Sequence, residues 1–273
     1  MTAPKNLEAL FSRTRAEGRA AFCPYFVTGF PDPATSTRAV VAAAESGADI
    51  IEVGMPFSDP LADGPTIQAA SQVALDAGVK VEHAFEHVRA IRGSGPTLPV
   101  LMTYFNLVHN CGVEAFLDRA LEAGSAGLII PDLPLEEADL VRTEARRREI
   151  DLIALIAPTT PDSRLSRISA GASGFLYLVS VTGVTGARQD LSASLESYLA
   201  RVRSQTGLPL CVGFGISSPA QASRVARAAD GVIVGSALVS CIEEAREGPD
   251  EAGPAIERAV RELVSEFAEA VRA

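Results

Sequence analysis

Lysine is almost missing from this sequence of 273 residues: of its 24 basic residues only Lys5 and Lys80 are lysines. Schiff-base chemistry needs a positioned, desolvated lysine. Lys5 lies in a terminal segment and Lys80 between two helical stretches, so a lysine-type aldolase and a pyridoxal-phosphate enzyme acting alone both lose support. Tryptophan is absent and aromatic residues make up 5% of the chain, so any cluster of rings is informative. The four cysteines, at 23, 111, 211 and 241, have no CxxC spacing and read as reduced, buried thiols of a cytosolic protein. Of the three histidines, His83 and His87 stand four apart on one helix face, the one arrangement able to begin a metal site. No third ligand lies nearby in sequence, and the pair reads as a solvated helix face with no metal. No apolar run approaches the roughly 18 residues of a membrane span. The charged start (Lys5, Glu8, Arg13, Arg15) does not suit a signal peptide, so a cytoplasmic protein off the membrane is expected. A net charge of −10 argues against a nucleic-acid surface. It does not exclude an anionic small molecule, because backbone N–H groups at a helix start can hold phosphate.

What is present is a globular balance of 47% apolar and 21% charged residues. Short apolar runs at 21–27, 50–53, 99–102, 127–130, 152–156, 174–179, 210–212 and 232–234 read as strands. Continuous apolarity is the mark of parallel strands buried on both faces. Helical patterns lie between them, clearest at 35–46, 113–123, 136–148, 194–204 and 220–228. Asp32-Pro33, Thr160-Pro161 and Ser218-Pro219 each place a capping side chain before a proline at the first helical position. Eight strand-helix repeats in about 250 residues favour an α/β fold, a single (β/α)8 TIM barrel spanning 1–273, over an open sheet. Leu7, Leu10 and Phe11 predict an extra N-terminal helix covering the lower mouth, and Ile256, Val260, Leu263, Phe267 and Val271 a closing helix.

In such a barrel the chemistry sits at the C-terminal ends of the strands. Glu52 is embedded in an apolar strand and is predicted to face the mouth, where burial raises a carboxyl pKa toward that of a general acid/base. Paired with an arginine it would instead be structural. Asp59 and Asp63 follow in a loop stiffened by prolines; one of them can reach back over the mouth, and spacing does not choose between them. The sixth loop, Ser180 to Gly186, carries two Thr-Gly pairs and reads as a lid. Gly213-Phe214-Gly215-Ile216-Ser217 and Gly235-Ser236-Ala237, after strands seven and eight, have the form of a phosphate cradle. Phe22, Met102, Tyr104, Leu128, Tyr177 and Phe214 near strand ends are candidates to line a flat apolar slot. Carboxylates, a cradle and a slot leave acid/base catalysis on an aromatic-bearing phosphorylated substrate, with C–C cleavage open if the substrate supplies the electron sink.

The run EVGMPFSDPLADGPTIQ, from Glu52 to Gln68, resembles the signature of the tryptophan synthase α subunit family. FVTGFPDP at 26–33, MTYFN at 102–106, IIPDLP at 129–134, APTTP at 157–161, SVTGVTG at 180–186, GFGIS at 213–217 and GSA at 235–237 follow in the family's order. The resemblance implies retro-aldol cleavage of indole-3-glycerol phosphate to indole and glyceraldehyde 3-phosphate, in tryptophan biosynthesis. It implies Glu52 as acid/base and Asp63, rather than Asp59, as support for the indole N–H. It implies phosphate on the N–H groups of Gly186, Gly215, Gly235 and Ser236, the ring bracketed by Phe22, Tyr177 and Phe214, and a site shaped by Tyr104 and Thr185. It also implies no cofactor of its own, and a pyridoxal-phosphate β subunit as partner in an α2β2 assembly. The second loop and the segment near 104–112 would form much of that contact. Weighed against it are a sugar-phosphate isomerase or epimerase, which leaves the slot and the Glu52–Asp63 pair unexplained, a weakly catalytic activator of the β subunit, and a duplicate that releases free indole for secondary metabolism.

Overall fold

The structure is a computed structural model and describes residues 5–179, 190–213, 215–248 and 251–273. Among them are eight strands: β1 (Ala21–Val27), β2 (Ile50–Gly54), β3 (Leu98–Met102), β4 (Gly127–Ile129), β5 (Asp151–Ile156), β6 (Leu176–Val179), β7 (Leu210–Gly213) and β8 (Gly231–Val234). Each pairs in parallel with the next, and β8 returns to β1, so the sheet closes as the apolar runs predict.

The register decides which side chains enter the barrel. Tyr25 is level with Glu52, and Glu52 with Val100. Paired positions of a parallel sheet share a face, and alternate residues of a strand take opposite faces. Cys23 and Tyr25 therefore point inward with Glu52, Gly54 and Cys211. Phe22 points outward and stacks on Phe267 of the closing helix Ala252–Arg272, with centroids 5.8 Å apart. In that helix Val264 takes the buried position and Leu263 packs half-buried beside it.

The N-terminal helix Leu7–Ala16 buries Leu7, Leu10 and Phe11 against the lower end, and Phe11 meets Phe175 edge-on at 5.8 Å. It plugs the mouth opposite the expected site. Asp32 and Ser218 cap their helices, accepting from the N–H groups of Thr35 and Gln221. Thr160 does not: its hydroxyl accepts from Ala157 N–H at 3.1 Å, and the helix Asp162–Gly171 starts only after Pro161. The 136–148 pattern is split by a 3-10 turn, Leu135–Glu137, before the helix Asp139–Arg147. A short helix, Phe105–Cys111, went unread in the sequence.

The histidine face is also corrected. His83 is partly exposed, but His87 is only 1% exposed. His87 lies between the helices Pro33–Glu45 and Val81–Ser94, with Nε2 3.2 Å from Ser36 Oγ. Ser36 Oγ in turn accepts from Gly29 N–H at 2.9 Å. Burial pushes the His87 pKa down to about 4. The four cysteines are free thiols, Cys23 and Cys211 buried and Cys111 and Cys241 half-buried.

Candidate active site

Glu52 occupies the middle of β2, inside the barrel, and is 1% exposed. Neither carboxylate oxygen has a hydrogen-bond partner among the described residues. Among the described residues no arginine meets it. Burial, reinforced by the negative field of Asp63, pushes its pKa up to about 8. An uncompensated buried carboxyl avoids charge by holding its proton.

The second loop separates the two aspartates that spacing left undecided. Asp59 is exposed and accepts from Ser58 Oγ at 2.6 Å. Asp63 is half-buried and turns inward, where burial raises its pKa to about 6 against the lowering effect of a hydrogen bond from Tyr104. The Tyr104 hydroxyl also accepts from Ala62 N–H at 3.1 Å, and Phe57 stacks on its ring with centroids 5.0 Å apart. Tyr104 is thus the post to which the loop is tied. The two carboxyls are pushed apart in acidity, Asp63 ionising first and Glu52 keeping a proton near neutrality. Separated values of this kind mark a division between acid and anion.

Two tyrosines form walls beside Glu52. The Tyr25 ring lies over Gly54 and the Tyr177 ring over Gly213, and any side chain on either glycine would collide with the hydroxyl above it. Both phenols are held neutral, chiefly by burial. Met102, level with Gly54, shares this inner face. Leu128 is level with Leu101 and Val53 and faces outward. Phe22 is corrected likewise. It stands three residues before Tyr25, an odd number, so the two cannot share a face, and its ring belongs to the packing against Phe267. Tyr25 is the residue that sequence reading missed. Its signal was parity: an even step separates it from Cys23 and Ala21, and its level with Glu52 needed the register.

At the end of β8, the helix Ser236–Glu247 begins at Gly235 with no side-chain cap. The helix Pro219–Ala226 has its cap in Ser218. The uncapped start leaves first-turn N–H groups at Ser236 and Ala237, a form suited to an anion. Gly215 has φ of 77°, which favours glycine, and is exposed. Thr185, Gly186 and Phe214 lie outside the described residues. No group of three His, Cys, Asp or Glu able to hold a metal occurs among the described residues. None of the described helices is long and apolar enough to cross a membrane.

Comparison with known proteins adds an independent line. A family model described as tryptophan synthase alpha chain matches residues 11–271. The tryptophan synthase alpha chain of Chloroflexus aurantiacus is 49% identical over 259 residues, covering 94% of this chain and 97% of that one. The corresponding chain of Acidiphilium cryptum is 45% identical over 267 residues, 97% of each. Among solved structures, tryptophan synthase of Mycobacterium tuberculosis superposes with a TM-score of 0.87 at 41% identity, covering 98% of both chains. The tryptophan synthase subunit alpha of Legionella pneumophila gives 0.88 at 34% identity and 97% of both.

Proposed function

This chain belongs to the tryptophan synthase alpha chain family, and we propose that Glu52 and Asp63 carry out its lyase reaction, the retro-aldol cleavage of indole-3-glycerol phosphate in tryptophan biosynthesis. The observation that carries the assignment is the buried, unpaired Glu52 carboxyl beside the more acidic Asp63.

Glu52 begins protonated and gives its proton to C3 of the indole. The ring becomes an indolenine with positive charge on nitrogen. The Asp63 carboxylate, oriented by Tyr104, faces that N–H and stabilises the charge. The Glu52 carboxylate then takes the proton of the hydroxyl on the carbon attached to C3. The C–C bond breaks, its electron pair restores the indole, and the hydroxyl carbon becomes the aldehyde of glyceraldehyde 3-phosphate. Glu52 ends protonated, as it started. The ring is itself the electron sink, which agrees with the scarcity of lysine. Tyr177 flanks the ring; Phe214 and Thr185, which the resemblance adds to the site, lie outside the described residues. The phosphate rests on the N–H groups of Gly215, Gly235 and Ser236; Gly186, which the resemblance adds to them, lies outside the described residues.

The partner is a pyridoxal-phosphate β subunit that takes up the indole. Leu61, 94% exposed on the second loop, and the neighbouring segment after Tyr104 supply the docking face. An exposed leucine beside a proline-stiffened loop suits such a contact.

The test is Glu52→Gln assayed with indole-3-glycerol phosphate, with and without a β subunit. Indole release is expected to fall by about 10²–10⁴-fold, the usual worth of a general acid/base. The variant should still stimulate the β subunit. Unchanged release would remove Glu52 from the reaction.

A further inference from the structure

We propose that Tyr25 is a positioning residue of this site: its ring is a rigid spacer between Gly235 and Gly54, and its hydroxyl is a neutral dipole set beside the Glu52–Asp63 pair. The proposal rests on Glu52 being the acid/base and the Gly235 end being the phosphate cradle.

Three observations meet at this side chain. Its backbone is level with Glu52 across the β1–β2 pairing, and its ring faces the same interior. A Cβ placed on Gly235 would lie 3.5 Å from Tyr25 Cδ1 and 3.6 Å from its Cβ, so the root of the ring abuts the start of the uncapped helix. The hydroxyl, at the far end, fills the space above Gly54 that a side chain there would need. One ring therefore spans from the proposed anion end to the carboxyl end. A phenol ring has two torsions, and this one is buried, so its length is fixed.

The hydroxyl matters separately from the ring. Glu52 is faced by Cys23 and Tyr25 from β1, Tyr177 from β6, Cys211 from β7 and Asp63 from the second loop. None of these is a cation. Asp63 has Tyr104 as donor, whereas the Glu52 oxygens have no described partner. A neutral phenol can rotate its proton toward whichever carboxyl becomes charged. Without it, ionised Glu52 loses a favourable dipole and the proton is held more tightly.

The experiment is Tyr25→Phe, which keeps the ring and removes the oxygen. The Glu52 carboxyl is followed by carbon-13 NMR, with its signal assigned by disappearance in Glu52→Gln. The titration midpoint should rise in Tyr25→Phe by about half a pH unit or more. The alkaline limb of the pH profile for indole release should move with it, while KM changes little. A midpoint identical in wild type and Tyr25→Phe overturns the proposal even if both proteins turn over normally. A wild type whose Glu52 titrates high but which releases no indole overturns the reaction reading instead, and the NMR comparison still decides the role of Tyr25.

Discussion

Two acidic residues three positions apart, one just before β2 and one at its middle, have opposite surroundings. Asp49 precedes β2 at the lower end of the barrel. Arg19 grips it with both terminal nitrogens, at 2.7 and 2.9 Å, Arg13 adds a contact at 3.2 Å, and Phe22 N–H donates at 3.1 Å. Glu52 sits at the middle of the strand, inside the barrel, with no described partner for either oxygen. Both are buried. The lower acid is compensated and ties the N-terminal helix to the strands, while the upper one is left without compensation, as its proposed role requires. This is the division of labour expected between the two faces of a (β/α)8 barrel, one stabilising and one catalytic.

The comparison can be broken most sharply at Asp49. Asp49→Asn should destabilise the protein by about 3–5 kcal/mol, because it strands a guanidinium made for a carboxylate. Urea midpoints measure this, and the surviving folded fraction should keep its specific activity. A stable variant with lost activity would mean that the lower acid serves the site after all.

The reciprocal change sharpens the upper half. Glu52→Met should abolish indole release yet stabilise the fold by about 1–3 kcal/mol, the usual cost of an unsatisfied buried polar group. The effect depends on pH. The folded-state value of about 8 lies above the ordinary 4.5, so the folded protein holds a proton that the unfolded chain has released. Wild-type stability from this group is fully present below about pH 4.5 and is lost as pH rises toward 8. The advantage of Glu52→Met should widen across that window and then level off. A constant difference would mean that Glu52 is an ordinary carboxylate.

The smallest effect belongs to His87, away from both ends. Its value of about 4 lies below the ordinary 6.5, so it resists protonation when folded. Its contribution to stability is present above pH 6.5 and is lost as pH falls toward 4. His87→Asn should cost under about 1.5 kcal/mol at pH 7, for one hydrogen bond to Ser36. It should also flatten the acid side of the stability curve. An unchanged acid slope would place the sensitivity elsewhere.

The closed sheet was legible because both faces of its strands are buried, which writes continuous apolar runs into the sequence. Glu52 was legible for the same reason, as a lone charge in such a run. The choice between Asp59 and Asp63 was not. It depends on Tyr104, some forty residues onward, reaching back to the loop, and only the resemblance singled out Asp63 in advance. Phe22 was misplaced because an apolar strand hides its own alternation: with both faces apolar, the pattern does not say which residues enter the barrel. The burial of His87 depends on the packing of the helix Pro33–Glu45 against Val81–Ser94, which no local pattern reports.

Gly54 and Gly213 carry a further consequence. Each is a strand residue with a phenol ring occupying the volume its own side chain would take. Even the smallest replacement, a single methyl, meets occupied space there, and the neighbouring ring must shift to admit it. The contour of this chamber is therefore drawn as much by two missing carbon atoms as by any functional group, and harmful substitutions should concentrate at positions that contribute no chemistry of their own.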